Sequence, residues 1–263
     1  MPSQLPLTGD PLIMTKEYLL ELGRRWLSKD ARLRLLQSTR WPPVNHVRFG
    51  QLRRLEPISR HWGADRGKPV DRHYVERFFA ANAADIKGRV LEVGDNRYTL
   101  AFGGARVTKS EVVHAAEGNP NADYVADFVQ APQLPSATFD CITCAQTLQF
   151  ISDLPAAIAT LYRILKPGGV LLATLPGISQ IDVDKRGRWK DHWRFTGHAA
   201  NWLFGKVFPA ESVTVHTYGN VLAAIAFLHG LAAEELTDRE LGHHDEQYPM
   251  VVGVRAQKPL DAK

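Results

Sequence analysis

Residues 139–176 read FDCITCAQTLQFISDLPAAIATLYRILKPGGVLLATLP. FDCITC (139–144) and VLLATLP (170–176) are short apolar runs of strand length. Between them, from about Leu154 to Leu165, apolar residues recur at helical spacing. Lys166-Pro167-Gly168-Gly169 then supplies a helix stop. Strand, helix and strand in this order predict a parallel βαβ unit, with both strands ending on the same edge of the sheet.

Working outward, the same texture begins at Gly88. RVLEVG (89–94), ARVTKSEVV (105–113) and DYVADF (123–128) read as three further strands. Upstream, Asp71 caps a predicted helix running to about Ala84, with Tyr74, Val75, Phe78 and Phe79 toward the core. Residues 42–70 read as irregular, with a basic cluster at Arg48, Arg53, Arg54 and Arg60. A further helix with Thr15 as its cap is predicted to Gln37, its apolar side formed by Leu19, Leu22, Trp26, Leu33 and Leu36, after a loose tail over 1–13. Downstream, an aromatic and charged loop, WKDHWRFT (189–196), precedes a helix to about Val207. Strands at 212–219 and 249–257 then flank an apolar helix over 220–231. The predicted organisation is an N-terminal helical and irregular extension (1–70) followed by one α/β domain (71–263).

The bulk properties narrow the function classes. With 44% hydrophobic and 23% charged residues, the 263-residue chain is ordinary for a globular protein. A net charge of +4 is too small for a dedicated nucleic-acid binder, and no nucleic-acid partner is expected. The basic excess sits in residues 1–89, either as a solvated face or as a surface for an anionic ligand. No apolar run reaches the length of a membrane span. Met1–Asp10 lacks a secretory pattern. Cys141 and Cys144 stand three apart on a predicted strand, hence on opposite faces, which suits neither a disulfide nor a shared metal. Two reduced core thiols, a cytoplasmic location and no metal site are expected.

The chemistry is expected at the strand ends. In VLEVGDN (90–96), Gly94 lets a ligand approach the backbone, and Glu92 and Asp95 bracket the turn. No G-x-G-x-x-G fingerprint and no Tyr-x-x-x-Lys pair is present, which argues against a nicotinamide oxidoreductase. Glu111 falls near the end of the second predicted strand, where an acid accepts ribose hydroxyls. Asp127-Phe128 closes the third strand, and Gln146-Thr147 the fourth.

The succession LEVGD, VADF, FDCITCAQTLQFISD and LYRILKPGGVLLATLP resembles the class I S-adenosylmethionine-dependent methyltransferases, in their broad type-11 group, over about residues 73–176. WGADRGKPVDRHYVERFF, DHWRFT and GNVLAAIAFLHGL are similar to a bacterial subgroup associated with polysaccharide and natural-product genes. The resemblance implies a Rossmann-like, doubly wound α/β fold with a mostly parallel seven-stranded sheet and a C-terminal antiparallel strand. It implies S-adenosyl-L-methionine as cofactor. Glu92, Gly94, Asp95 and Asn96 would face its methionine part, Glu111 its ribose, and Asp127 and Phe128 its adenine. Gln146 and Thr147 would line the methyl-transfer site. Two features depart from the family pattern: only Gly94 remains of the usual run of glycines, and Gln149 stands where a histidine is frequent.

The activity this implies is methyl transfer to a small molecule, through a hydroxyl of a sugar or secondary metabolite. A base assists such a transfer, and His192 is the candidate, with Asp191 orienting it. Candidate acceptor-binding residues are Arg66, Arg72, Tyr74 and Trp193. Arg66 and Arg72 either bind an anionic acceptor or pair with Asp65 and Asp71. The rival reading is a catalytically degenerate fold serving as a binding module, suggested by the missing glycines and the apolar helix over 220–231.

Overall fold

The computed structural model describes residues 28–31, 34, 37, 41–183, 187 and 189–260. The predicted tail and most of the predicted helix from Thr15, including Leu19, Leu22, Trp26, Leu33 and Leu36, lie outside the described residues. The chain divides into two compact units, Met1–Leu55 and Glu56–Lys263. In the first, a short 3₁₀ turn spans Gly50–Leu52. The division falls earlier than the expected boundary at residue 70. Residues 56–69 pack into the larger unit through backbone bonds: Ile58 N–H donates to His229 O (2.8 Å) and Ala233 N–H to Lys68 O (2.7 Å).

The larger unit is built on one seven-stranded sheet. Its elements are α1 (Val70–Ala81), β1 (Gly88–Val93), β2 (Val107–His114), β3 (Tyr124–Val125), β4 (Phe139–Ala145), α2 (Leu154–Ile164), β5 (Leu165–Pro176), α3 (Gly197–Phe204), β6 (Val213–Tyr218), α4 (Val221–Leu228), α5 (Asp238–Gly242) and β7 (Val251–Gln257). The strand order is β3-β2-β1-β4-β5-β7-β6. Pairings from β3 to β5 are parallel, and β7 runs antiparallel to both β5 and β6. This is the doubly wound, mostly parallel sheet with a C-terminal antiparallel strand that the sequence implied. The order reverses beside β1, where β2 lies on one side and β4 on the other. Open α/β sheets bind ligands at such a switch point, outside the carboxyl ends of the strands.

Both faces of the sheet are covered, as parallel sheets require. On one face Leu91, Ile142, Cys144, Leu171 and Val254 pack with Ala157, Ile158 and Leu161 of α2 and Phe204 of α3. On the other, Val90, Cys141, Leu172 and Val251 meet Tyr74, Phe78 and Phe79 of α1 and Phe227 of α4. Each fully buried Phe contributes about 1.5–3 kcal/mol through removal of apolar area from water. The two cysteines are free and buried on opposite faces. Burial pushes both thiols up, Cys144 to about 12. One contact fixes residue size: a Cβ on Gly253 of β7 would stand 2.3 Å from the Phe78 ring, so only glycine lets α1 lie this close.

Local chemistry sets the element ends. Asp153 caps α2 by accepting from Ala156 N (3.1 Å), and Asn220 caps α4 by accepting from Ala223 N (3.0 Å). Asp71 is not the cap of α1. That position is Pro69, and the Asp71 carboxylate accepts from the N–H of Arg72 (2.7 Å). The KPGG stretch lies inside β5, which starts at Leu165. Phe139 pairs with Leu165 and Cys141 with Val170, so the glycines absorb a register irregularity. The connection from β1 to β2 holds only a π-helical turn (Thr99–Gly103) and a 3₁₀ turn (Gly104–Arg106).

Candidate functional site

Two cavities open at the carboxyl ends of the central strands. The larger, about 660 Å³, is lined by Val93 at the end of β1 and Gly94 after it, Val113 and His114 of β2, Asp127 and Phe128 after β3, Thr147 after β4, and His192. The smaller, about 330 Å³, is lined by His61, Asp71 and Arg72, by Gln146 and Gln149, and by Asp182, Asp191 and Arg194. Ala145 and Thr147 face the larger cavity and Gln146 the smaller, while Phe150 lines both. The exit of β4 is therefore the wall between them. Gln146 holds φ of 47° there, a strained backbone for a residue with a Cβ. Its N–H is tied to Thr174 O at 2.9 Å.

The structure brings five of the candidate residues, Gly94, Asp127, Phe128, Thr147 and His192, to the larger cavity. Gly94 adopts φ of 91°, and a Cβ there would meet nothing within 4 Å, leaving open space above the backbone. Its carbonyl accepts from Asn119 Nδ2 (2.9 Å). Asp127 commits one carboxylate oxygen to Val129 N–H (3.0 Å). Phe128 is 4% exposed and joins Val93, Val113, Ala126 and Ile151 in an apolar wall. Thr147 Oγ1 donates to Ala145 O (2.9 Å).

Other candidates sit elsewhere. Glu111 lies three residues before the end of β2, is 2% exposed, and is gripped by Arg89 (2.5 and 3.0 Å) and Lys109 (2.8 Å). Burial alone would raise its pKa, but the hydrogen bonds from Arg89 and Lys109 prevail and hold it at about 2. It does not line the cavity. The strand-end residue next to Gly94 is His114, whose Nδ1 lies 2.8 Å from Ala116 O and 3.2 Å from Ala116 N. The sequence reading missed His114 because it placed the strand end too early.

Glu92 serves the turn below the cavity. Its carboxylate accepts from Tyr98 N–H (3.0 Å) and Thr99 N–H (2.7 Å), and burial raises its pKa against those bonds. Asp95 is exposed and pairs with Arg97 at 3.0 Å, and Asn96 accepts through its carbonyl from Leu100 N–H. Neither lines the cavity. On the acceptor side, Arg66 is held by Glu235 (2.9 and 2.5 Å), not by Asp65. Tyr74 is 1% exposed, donates to Leu241 O (3.1 Å) and stacks on Tyr218, so it is core and lines neither cavity. Trp193 donates to Ile151 O (2.9 Å) and lines a separate apolar groove with Trp202. Arg72 does line the smaller cavity, where its guanidinium bonds the Tyr98 hydroxyl and lies over that ring.

The expected His192–Asp191 pair is not formed. Asp191 accepts from Arg194 (2.6 and 2.8 Å) and from Asp182 N–H (2.8 Å), and Arg194 holds its carboxyl below the usual range against the effect of burial. His192 is exposed, with its backbone N–H on Gln149 O. Among the described residues no cluster of metal-ligating side chains occurs, and no helix is long and apolar enough to cross a membrane.

A family described as methyltransferase domain matches residues 65–215. The chain is 36% identical over 85 residues to the ubiquinone/menaquinone biosynthesis C-methyltransferase of Enterobacter sp. (strain 638), covering 32% of each. It is 30% identical over 154 residues to the ubiquinone biosynthesis O-methyltransferase of Escherichia coli O6:H1, covering 51% of this chain and 64% of that one. These alignments thus span between one third and two thirds of the curated relatives. Among solved structures, an S-adenosylmethionine-dependent methyltransferase from Mesorhizobium loti is similar at 16% identity, with 72% and 98% of the two chains covered and a TM-score of 0.47. The family match covers more than half of the chain and lies on the sheet whose switch point carries both cavities. The chain belongs to the methyltransferase-domain family, with the class I S-adenosylmethionine-dependent methyltransferase fold.

Proposed function

We propose that the chain transfers a methyl group from S-adenosyl-L-methionine to a hydroxyl of a small molecule, such as a sugar or secondary metabolite. The observation that carries this reading is the pair of cavities sharing the β4 exit as a wall. The residues of the larger cavity fit the cofactor. Its volume lies in the range of small-molecule sites. Gly94 leaves open space over the backbone, Phe128 and its neighbours offer an apolar surface to a flat base, and Asp127 keeps one carboxylate oxygen to accept an amine. His114 stands where the ribose is reached from β2. The cofactor supplies a sulfonium-activated methyl group. The protein aligns donor and acceptor across Gln146–Phe150, which turns a bimolecular encounter into an oriented one. Asp71, Arg72, Gln146 and Gln149 line the smaller cavity, and these polar groups suit a hydroxylated acceptor.

The test is transfer of radiolabel from S-[methyl-¹⁴C]adenosylmethionine to a panel of hydroxylated small molecules. A labelled methyl ether is expected, and label transferred only to amines or to carbon would refute the hydroxyl assignment. A second reading, a non-enzymatic binding module, draws on the exposed apolar stripe of Val221, Leu222, Ile225 and Leu228 on α4. Cofactor binding with no transfer to any small molecule is the result that favours it.

A further inference from the structure

We propose that Asp71 is the proton acceptor of the reaction, and that the buried amides of Gln146 and Gln149 select a polyhydroxylated acceptor. This rests on the methyltransferase reading above.

The charges in the smaller cavity are largely spoken for. Arg194 grips Asp191 through both nitrogens. Arg72 sends its guanidinium to the Tyr98 hydroxyl. Asp71, half-buried in the first turn of α1, accepts only from backbone, at 2.7 Å from the Arg72 N–H, and among the described residues has no cation within salt-bridge distance. Among the described residues no side chain donates to this carboxylate, and a ligand hydroxyl supplies such a donor.

The glutamines narrow the ligand class. Gln149 donates through Nε2 to Gln146 O (2.8 Å), which fixes its amide orientation and leaves Oε1 buried without a partner. Gln146 Nε2 is likewise buried and without a partner among the described residues. One free acceptor and one free donor match neighbouring hydroxyls, because each hydroxyl both donates and accepts. An ammonium group only donates and would leave Gln146 Nε2 unmatched. Both line the smaller cavity, while their chain neighbours Thr147 and Phe150 line the larger, which puts a hydroxyl bonded to the two glutamines next to the segment between the cavities.

The step balances. The acceptor oxygen forms its bond to the methyl carbon as the carbon–sulfur bond breaks, and that electron pair goes to sulfur, leaving a neutral thioether. The hydroxyl proton goes to the Asp71 carboxylate and then to solvent through the open mouth of the cleft. The charged and titratable groups that line the cavity with Asp71 are Arg72 on its own helix, His61 from the preceding loop, Asp182 after β5, and Asp191 with Arg194. Burial raises the Asp71 carboxyl, with the Arg72 charge opposing. Transfer is therefore expected to rise with pH through that elevated value.

The experiment uses methyl α-D-glucopyranoside, catechol and ethanolamine as probes. Each is titrated calorimetrically into protein loaded with S-adenosylhomocysteine, then offered as acceptor with labelled S-adenosylmethionine. The glucoside is expected to bind and to accept. Gln149→Leu should weaken glucoside binding about tenfold, the loss of one buried hydrogen bond. Asp71→Asn should keep S-adenosylhomocysteine affinity within about twofold, which certifies folding, lower transfer about 100-fold or more, and flatten the pH profile. Asp71→Glu should recover part of the rate. Transfer by Asp71→Asn within about threefold of wild type, or unchanged glucoside affinity in Gln149→Leu, overturns the proposal. So does a preference for ethanolamine or catechol, or donor binding with no probe accepted. Failure of S-adenosylhomocysteine to bind wild type would instead overturn the methyltransferase reading beneath it.

Discussion

Glu111→Gln separates a structural carboxylate from a ligand-binding one. Glu111 is 2% exposed and meets Arg89 at 2.5 Å and Lys109 at 2.8 Å, with Tyr124 donating at 3.2 Å. Breaking a fully buried pair costs about 3–5 kcal/mol. Here the cations are part-exposed, Arg89 at 33% and Lys109 at 57%, so water screens the attraction and the expected loss falls to about 2 kcal/mol. For a chain of this size that lowers Tm by about 4–8 °C. The pH dependence has a definite sign. The folded carboxyl is held at about 2, below its ordinary value of 4.5. Its contribution is therefore full above pH 4.5 and is lost as pH falls through about 2. The variant should lack this part of the acid slope. Calorimetric melting between pH 2 and pH 7 measures both effects, and titration with S-adenosylhomocysteine measures the third: affinity within about twofold of wild type. An unchanged Tm with a tenfold loss of S-adenosylhomocysteine affinity would refute the reasoning and restore Glu111 to the ribose.

His114→Ala, by contrast, should weaken S-adenosylhomocysteine about tenfold while shifting Tm little, since His114 lines the cavity and bonds only its own turn; equal affinity in calorimetry would remove it from the site. Gly253→Val should destabilise by about 1–3 kcal/mol through overpacking against Phe78, read as a lower urea midpoint, and an unchanged midpoint would contradict the close approach of α1 to β7.

The strands along the chain were legible because each buried parallel strand is a short apolar run closed by glycine, proline or a polar turn, as in RVLEVG and VLLATLP. Asp127 and Phe128 were legible as strand-end groups for the same reason. Glu111 was not, because its partners come from the pairing register: Arg89 stands beside Lys109 on the neighbouring strand, which no local pattern reveals. The register also carries β2 on to His114, one residue past the predicted end. Tyr74 was legible as a core residue, but the partners of Arg66 and Tyr74 were not, since Glu235 and Leu241 lie 169 and 167 residues away in sequence. The KPGG stretch signalled the right βαβ unit by the wrong detail, since its glycines sit in the strand and not after the helix. Asp71 was visible as a helix-start residue and as a partner for Arg72; that its carboxylate has no side-chain donor emerges from what Arg72 and Arg194 bind instead.

The central claim is that the cavity at the ends of β1 to β4 holds the methyl donor. Isothermal titration of S-adenosylhomocysteine into the wild-type chain and into Asp127→Ala tests it most directly. The account predicts saturable one-to-one binding by wild type and an affinity about tenfold weaker in the variant, with melting unchanged. No heat of binding at millimolar ligand, or identical affinity in the two proteins, would contradict it.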